Sequence, residues 1–496
     1  GLDTAAAAYS TGGGGGEALE MVIHTLRKMA RGGMYDQLGG GFHRYSVDDH
    51  WHTPHFEKML YDQAQLARLY VEAWQVTRDA ELRRVAEETL DYVAREMTDP
   101  SGAFYSSQDA DSEGEEGKFF VWELRELEEL LGVDSWPTAK YYDVTARGNF
   151  EGKNILHVPR ELADAAAKAE VTPDYMAEAL ARSRPILFAA RQQRIKPGRD
   201  DKALAEWNGM MLRTFAYAAG ALQRADYRQI AERNAGFILR QLVLSGESVG
   251  DRPQRGRRLL RSWAPASLTG GQPQAKLNAY LEDYANVADG LIELYQLTFE
   301  LRWLEAARDL VDTMLDLFWD QRQGGFFQTS RDHEGLIARP KDFVDNATPS
   351  GNSAATDVLL HLHALTGEER YFTHAESILL LLREGMARQP LAFGHLLGAL
   401  ERFISRPQEV AIIGDLADDR TAALLTQVRS RFLPHTALAG AASDQAAAEA
   451  AALIPLLADR VQRGGLPTAY VCESFACQMP ATEPAALAQQ LRGRPA

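Results

Sequence analysis

The chain has 496 residues, 45% of them hydrophobic and 25% charged, with a formal net charge of −16. That size and apolar content suit a globular protein with a large core, in one big domain or two to three smaller ones. The acidic balance and the lack of a Lys/Arg block exclude the electrostatic footprint of a nucleic-acid binder or of an anionic-membrane binder, and no apolar run approaches the ~20 residues of a membrane span.

In chain order, residues 1–16 (GLDTAAAAYSTGGGGG) read as an Ala/Gly-rich linker or truncated start without the pattern of a signal peptide. Helical periodicity then dominates, with apolar residues at i, i+3, i+4 and i+7 in the windows 17–31, 61–77, 80–97, 203–223, 226–243, 281–299, 302–318, 351–366, 368–387 and 390–405. The helices pair through short turns: TRDAEL (77–82), QRADYR (223–228), FELRWL (299–304) and TGEERY (366–371). Second helices run into the phrases GGGFHRYS (39–46), GAFYSSQDADSE (102–113) and GGFFQTS (324–330), each a Gly turn and a short strand anchored by Phe. First helices follow polar signatures: PHFEKMLYDQ, DDKALAEWNG, LEDY and PSGNSA.

This is an internal repeat of helical hairpins. Phrases and signatures fall at one end if first helices line the inside of a ring and second helices the outside. The form is an all-α (α/α)6 toroid over 17–405. It needs twelve helices, so a first hairpin is expected to be missing, and the open edge is expected to drive self-association. Residues 114–200 read as an insertion and 250–275 as a loop. Residues 406–496 read as a small α/β appendage, with a strand in EVAIIG, a helix at 420–431, an Ala-rich stretch, and a strand in TAYVCESFACQMP before a final helix. Its cysteines, Cys472 and Cys477, are the chain's two. So few in so long a chain suggests a cytoplasmic protein with reduced thiols, and their spacing fits neither a redox pair nor a metal knuckle.

The densest chemistry lies at 33–63, where His43, His52 and His55 stand among Asp36, Asp48, Asp49, Glu57 and Asp62 beside a Gly-rich turn. Titratable loops on a rigid scaffold are where binding and catalysis usually sit. His43 should project from a strand at the open end, with Tyr45 beside it. His55, Glu57 and Lys58 stand at the entry to the first inner helix, where Glu57 could also serve only the helix dipole. The acidic loop 106–118 presents Asp109, Asp111 and Glu113; catalytic or hydroxyl contact ranks first there and cation ligation second. Asp200 or Asp201 could cap a helix, whereas Trp207 and Asn208 offer an aromatic face and an amide to a sugar ring. Glu282, Asp283 and Tyr284 repeat that logic, and Arg339, Lys341, Asp345 and Asn352 surround a capping Ser350. His361 and His363, two apart on one helix, face different ways and form no chelate.

Together GGMYDQLGGGFHRYSVDDHWHTPHFEKMLYDQAQL, FYSSQDADSEGEEGKFFVW, GNFEGKNIL, DDKALAEWNGMM, LEDYA and PSGNSA resemble the YyaL-type, or spermatogenesis-associated protein 20-like, thioredoxin-domain-containing proteins. The resemblance runs from about residue 17 to the C-terminus. It implies a barrel of the six-hairpin glycosidase type, preceded in full-length members by a thioredoxin-like domain that is expected to be absent here. More distantly the barrel resembles the N-acylglucosamine and cellobiose 2-epimerases, which move a proton at C2 of an open-chain sugar with paired histidines. Their histidine motifs do not match residue by residue. His43 and His55 fall inside the matching motifs, and His395 is a third option.

The expectation is therefore a carbohydrate-active enzyme working in a barrel funnel on a small carbohydrate, without cofactor or metal. In an epimerase or isomerase version His43 and His55 exchange the proton. In a glycosidase version Asp109 or Asp111 pairs with Asp283. Substrate contacts would come from Tyr45, Glu57, Asp62, Asp201, Trp207, Asn208, Glu282, Tyr284, Arg339, Asp345 and Asn352. The alternative is a noncatalytic scaffold that works with a thioredoxin-like domain.

Overall fold

The computed structural model describes residues 15–244, 257–335, 337–405, 407–473 and 476–491. Ten helices make the ring: α1 (Gly15–Arg31), α2 (Leu60–Thr77), α3 (Ala80–Glu96), α4 (Ala205–Leu222), α5 (Ala225–Phe237), α6 (Leu281–Thr298), α7 (Leu301–Phe318), α8 (Gly351–Thr366), α9 (Glu369–Arg388) and α10 (Gly394–Ile404). Helices α2, α4, α6, α8 and α10 pack side by side in that order on the inside, while α3, α5, α7 and α9 each back their own partner outside. Burial follows that assignment: α6 buries 15 of its 18 residues and α3 only seven of 17. Inner helices touch backbone to backbone at Gly209 and Gly290, where a Cβ would lie 2.5–2.7 Å from the facing main chain. Helix α1 lies against α2, with Tyr70 donating its hydroxyl to the Leu26 carbonyl at 2.6 Å. Among the described residues no helix is long and apolar enough to cross a membrane.

Each hairpin turns through one left-handed residue at the C-cap of its inner helix: Arg78, Gln223, Phe299 and Gly367, with φ between 57° and 67°. The three glycine–phenylalanine phrases close as equivalent bridges, Tyr35 to Phe42, Thr98 to Phe104 and Trp319 to Phe326. An inner-helix amide clamps each phenylalanine backbone. Gln63 accepts from Phe42 N and donates to Phe42 O, both at 2.7 Å. Asn208 does the same to Phe104 (2.8 and 3.0 Å) and Asn352 to Phe326 (2.8 and 3.0 Å). In α6 the corresponding place is filled by Tyr284, whose hydroxyl accepts from Leu259 N at 2.9 Å.

Residues 114–200 fold around a core of their own, with Trp122, Leu127, Tyr142, Met176 and Leu187 at its centre. They dock through Arg191, which forks onto buried Asp36 at 2.7 and 2.9 Å, and Asp36 in turn holds fully buried Lys58 at 3.0 Å. At the C-terminal end, strand Gln408–Ile413 pairs in parallel with Thr436–Ala441 and antiparallel with Thr468–Glu473.

The structure departs from expectation in three places. The window 226–243 is helical only to Phe237 and then makes a π turn over Ile238–Leu242. In 250–275, where a loop was expected, Arg258–Ala264 is a strand that pairs with Gln274–Asn278 and with Ala203–Leu204; 250–256 lie outside the described residues, as do 1–14. Cys472 and Cys477 are bonded to each other rather than reduced, because strand pairing sets them opposite one another.

Candidate active site

A cavity of about 560 Å³ runs along the ring axis, lined by all five inner helices and, at one end, by residues 428–438 of the C-terminal unit. That unit is fastened there: Arg402 donates to Pro434 O at 2.8 Å, and half-buried Arg429 donates to Gln296 O and Leu297 O at 2.8 and 2.7 Å. The Arg429 bonds satisfy carbonyls at the end of α6 that the helix itself leaves free.

Two imidazoles line the cavity. His361 sets Nδ1 3.0 Å from Asp289, and His395 sets Nε2 3.8 Å from Asp357. Arg213 reaches Asp289 at 2.9 Å and Asp357 at 3.6 Å, and Arg402 reaches Asp357 at 3.0 Å. Burial alone would raise Asp357, but His361, Arg402 and Arg213 outweigh it and hold the carboxyl well below its usual range. Asp289 is likewise held down against burial, mainly by Arg213. Ligand atoms of Asp289, Asp357 and His361 lie within 4.8 Å of one another, as a cation site requires. The arginines on both carboxylates already neutralise them, so the group is an ion-pair network with two imidazoles. Towards the end lined by the C-terminal unit, Arg68 pairs with Glu72 (2.6 Å) and Glu293 (3.1 Å).

The N-termini of α2, α4 and α6 form an acidic rim. Trp207 stands edge-on to Tyr61 at 4.9 Å. Burial pushes Asp62 up to about 7 against the pull of Arg44. Asp283 accepts from Glu206 N (3.0 Å) and Tyr280 N (2.8 Å), and burial raises it to about 7 although Arg261 lies 3.2 Å away. Glu206, 6% exposed, is pushed up to about 8 by burial and by Asp283 and Glu282. Glu282 lies 3.2 Å from Arg261.

The residues expected to act are scattered. His43 does not project into an opening: it is 2% exposed, bonded to Phe56 O at 2.9 Å and packed edge-on against Phe56 and Phe120. Burial, with Lys58 nearby, lowers it to about 3, so it stays neutral. His55 sits elsewhere, Nδ1 2.7 Å from Glu116 and its ring 5.0 Å from half-exposed Tyr45. Glu57 pairs with Arg44 at 2.8 Å. Asp109 and Asp111 are exposed on a small hairpin, Asp109 N donating to Gly198 O, while Asp283 is a buried helix cap; the three do not form a carboxylate pair. Asp201 holds Arg199 at 2.5 Å. Asn208, Asn352 and Tyr284 are spent on the backbone bonds of the clamps. Arg339 donates to Thr329 O at 2.6 Å. Asp345 lines the cavity but accepts from Ser350 N and His395 N, at 2.9 and 2.8 Å, fixing the start of α10. Sequence reasoning passed over Asp289, Asp357, Arg213 and Glu206, and weighed His361 only as a chelate with His363. One signal was available: Asp357 and His361 are four apart on one helix face.

No protein-family model matches the chain. Spermatogenesis-associated protein 20 of Homo sapiens is 36% identical over 507 residues, covering 96% of this chain, and that of Mus musculus is equally similar. The chain spans 63% of the length of those relatives. Among solved structures, a cellobiose 2-epimerase from Bacillus thermoamylovorans B4167 is 9% identical, with 74% of this chain covering 72% of that one at a TM-score of 0.43. Over the part of their length that it spans, this chain is homologous to the proteins named spermatogenesis-associated protein 20.

Proposed function

We propose that the ring encloses the site of a carbohydrate-active enzyme of the epimerase or isomerase kind, with His361 and His395 as its proton-handling groups. The observation that carries this is two imidazoles on one cavity of about 560 Å³, a size within the range of small-molecule sites. His361, with Nδ1 on Asp289, keeps Nε2 for a substrate proton. An imidazole suits abstraction of a proton α to an aldehyde near neutral pH. Arg68, Arg213 and Arg402 already have carboxylate partners, which favours an uncharged polyol over a phosphate inside the lumen.

The test is NMR in D₂O with a panel of aldoses and disaccharides. Exchange at C2–H that His361→Ala and His395→Ala each abolish, while His43→Gln keeps it, is the expected result. New reducing ends without exchange would replace the reading with a glycosidase-like one. Sugar bound without any turnover would replace it with a noncatalytic scaffold.

A further inference from the structure

The rim above the imidazoles holds a charge group that proton transfer at C2 does not use. Glu206, Glu282 and Asp283 converge from α4 and α6, and Arg261, on the strand Arg258–Ala264, is 3.2 Å from both Glu282 and Asp283. Asp283 has both oxygens engaged by backbone N–H groups. Glu206 is 6% exposed, and its Oε1 meets no hydrogen-bond partner. Thr348, from the loop before α8, offers its hydroxyl to the same carboxyl group. Three carboxylates thus share one guanidinium, and one buried oxygen lacks a donor. Trp207, partly exposed, is the next residue. Along the same rim Glu57 and Asp62 face Arg44.

We propose that Glu206 and Glu282 form a recognition site for a primary ammonium group, and that the sugar entering the lumen is an amino sugar. The second half rests on the lumen reading; the first stands without it.

A buried carboxylate without a donor costs free energy unless it is paired or protonated. A sugar hydroxyl would supply the hydrogen bond but leave Glu206 protonated. An ammonium supplies the hydrogen bond and a positive charge in place of the proton, with three donors for the carboxylates. The proton now held by Glu206 would be displaced on binding. The affinity of a permanently charged amine should therefore rise with pH as Glu206 loses its proton, opposed by Arg261 and reinforced by Glu282 and Asp283.

The experiment is isothermal titration calorimetry of the whole chain at constant ionic strength with D-glucosamine, D-glucose, N-acetyl-D-glucosamine and methylammonium chloride. D-Glucosamine should bind about tenfold or more tighter than the two neutral sugars, with an enthalpy that depends on buffer as protons are released. Glu206→Gln and the less buried Glu282→Gln should each cut that preference to within about twofold. Equal binding of the three sugars to the wild-type chain would overturn the proposal, as would a preference that survives both variants. Methylammonium binding that needs Glu206, with no sugar bound, would keep the ammonium site and sink the lumen reading. Binding of neither amine would sink the site itself.

Discussion

Replacing Asn208 by Ala separates a structural fastener from a sugar ligand. Asn208 is fully buried, and its amide contacts Phe104 N and O, Leu204 O and Asn234 Nδ2. Asn234 keeps its bond to Gly102 O, and Leu204 O sits at the head of α4 where the helix itself can use it. Phe104 N and O have no such substitute, since the neighbouring bridge bonds belong to Ala103 and Tyr105. Two buried backbone groups without partners cost about 1–3 kcal/mol each, so the expected loss is about 3 kcal/mol. Urea unfolding followed by circular dichroism should show a lower midpoint at unchanged slope. A loss below about 1 kcal/mol, with weakened sugar binding instead, would refute the clamp and restore Asn208 as a ligand.

Lys58→Met should cost about 3 kcal/mol, because Asp36 and Gly40 O both lose a buried donor; a melting temperature like the wild type's would contradict this. The His43 C2–H resonance should stay fixed from pH 8 to 5, since burial holds the ring neutral to about 3; a midpoint near 6.5 would mean the ring is solvated. Glu206 carries a raised pKa, about 8, so the folded chain binds the extra proton between the unfolded value near 4.3 and 8, and stability falls as pH rises through that window. Glu206→Gln should therefore gain about 1–3 kcal/mol over the wild type at pH 8.5 and little at pH 5; equal gains at both pH values would remove the electrostatic explanation.

The ring was legible because apolar residues at helical spacing mark a buried stripe wherever they occur, and left-handed turns at Arg78, Gln223 and Phe299 did not blur the pairing. The polar residues were harder to place. Asn208 and Asn352 stand where a ligand contact would also stand, and only their partners, Phe104 and Phe326, reveal the clamp. His43 lies in a phrase rich in charge, yet Phe56 and Phe120 enclose it. Asp289, Asp357 and His361 look like stray polar groups in apolar helices, because what joins them is the curvature that brings α6 beside α8.

The three amide clamps close loops of very different length. Gln63 reaches back 21 residues and Asn352 26, whereas Asn208 reaches back 104, across the whole inserted unit. For a flexible chain, lengthening the loop from 21 to 104 residues adds about 1.4 kcal/mol of closure entropy. The insertion removes much of that penalty if it folds first, since pairing of Ser107–Gln108 with Arg199–Asp200 brings its two ends together. Its order of folding then sets how fast α4 joins the ring. New chain termini placed inside the insertion should slow that step while leaving the clamps at Gln63 and Asn352 untouched.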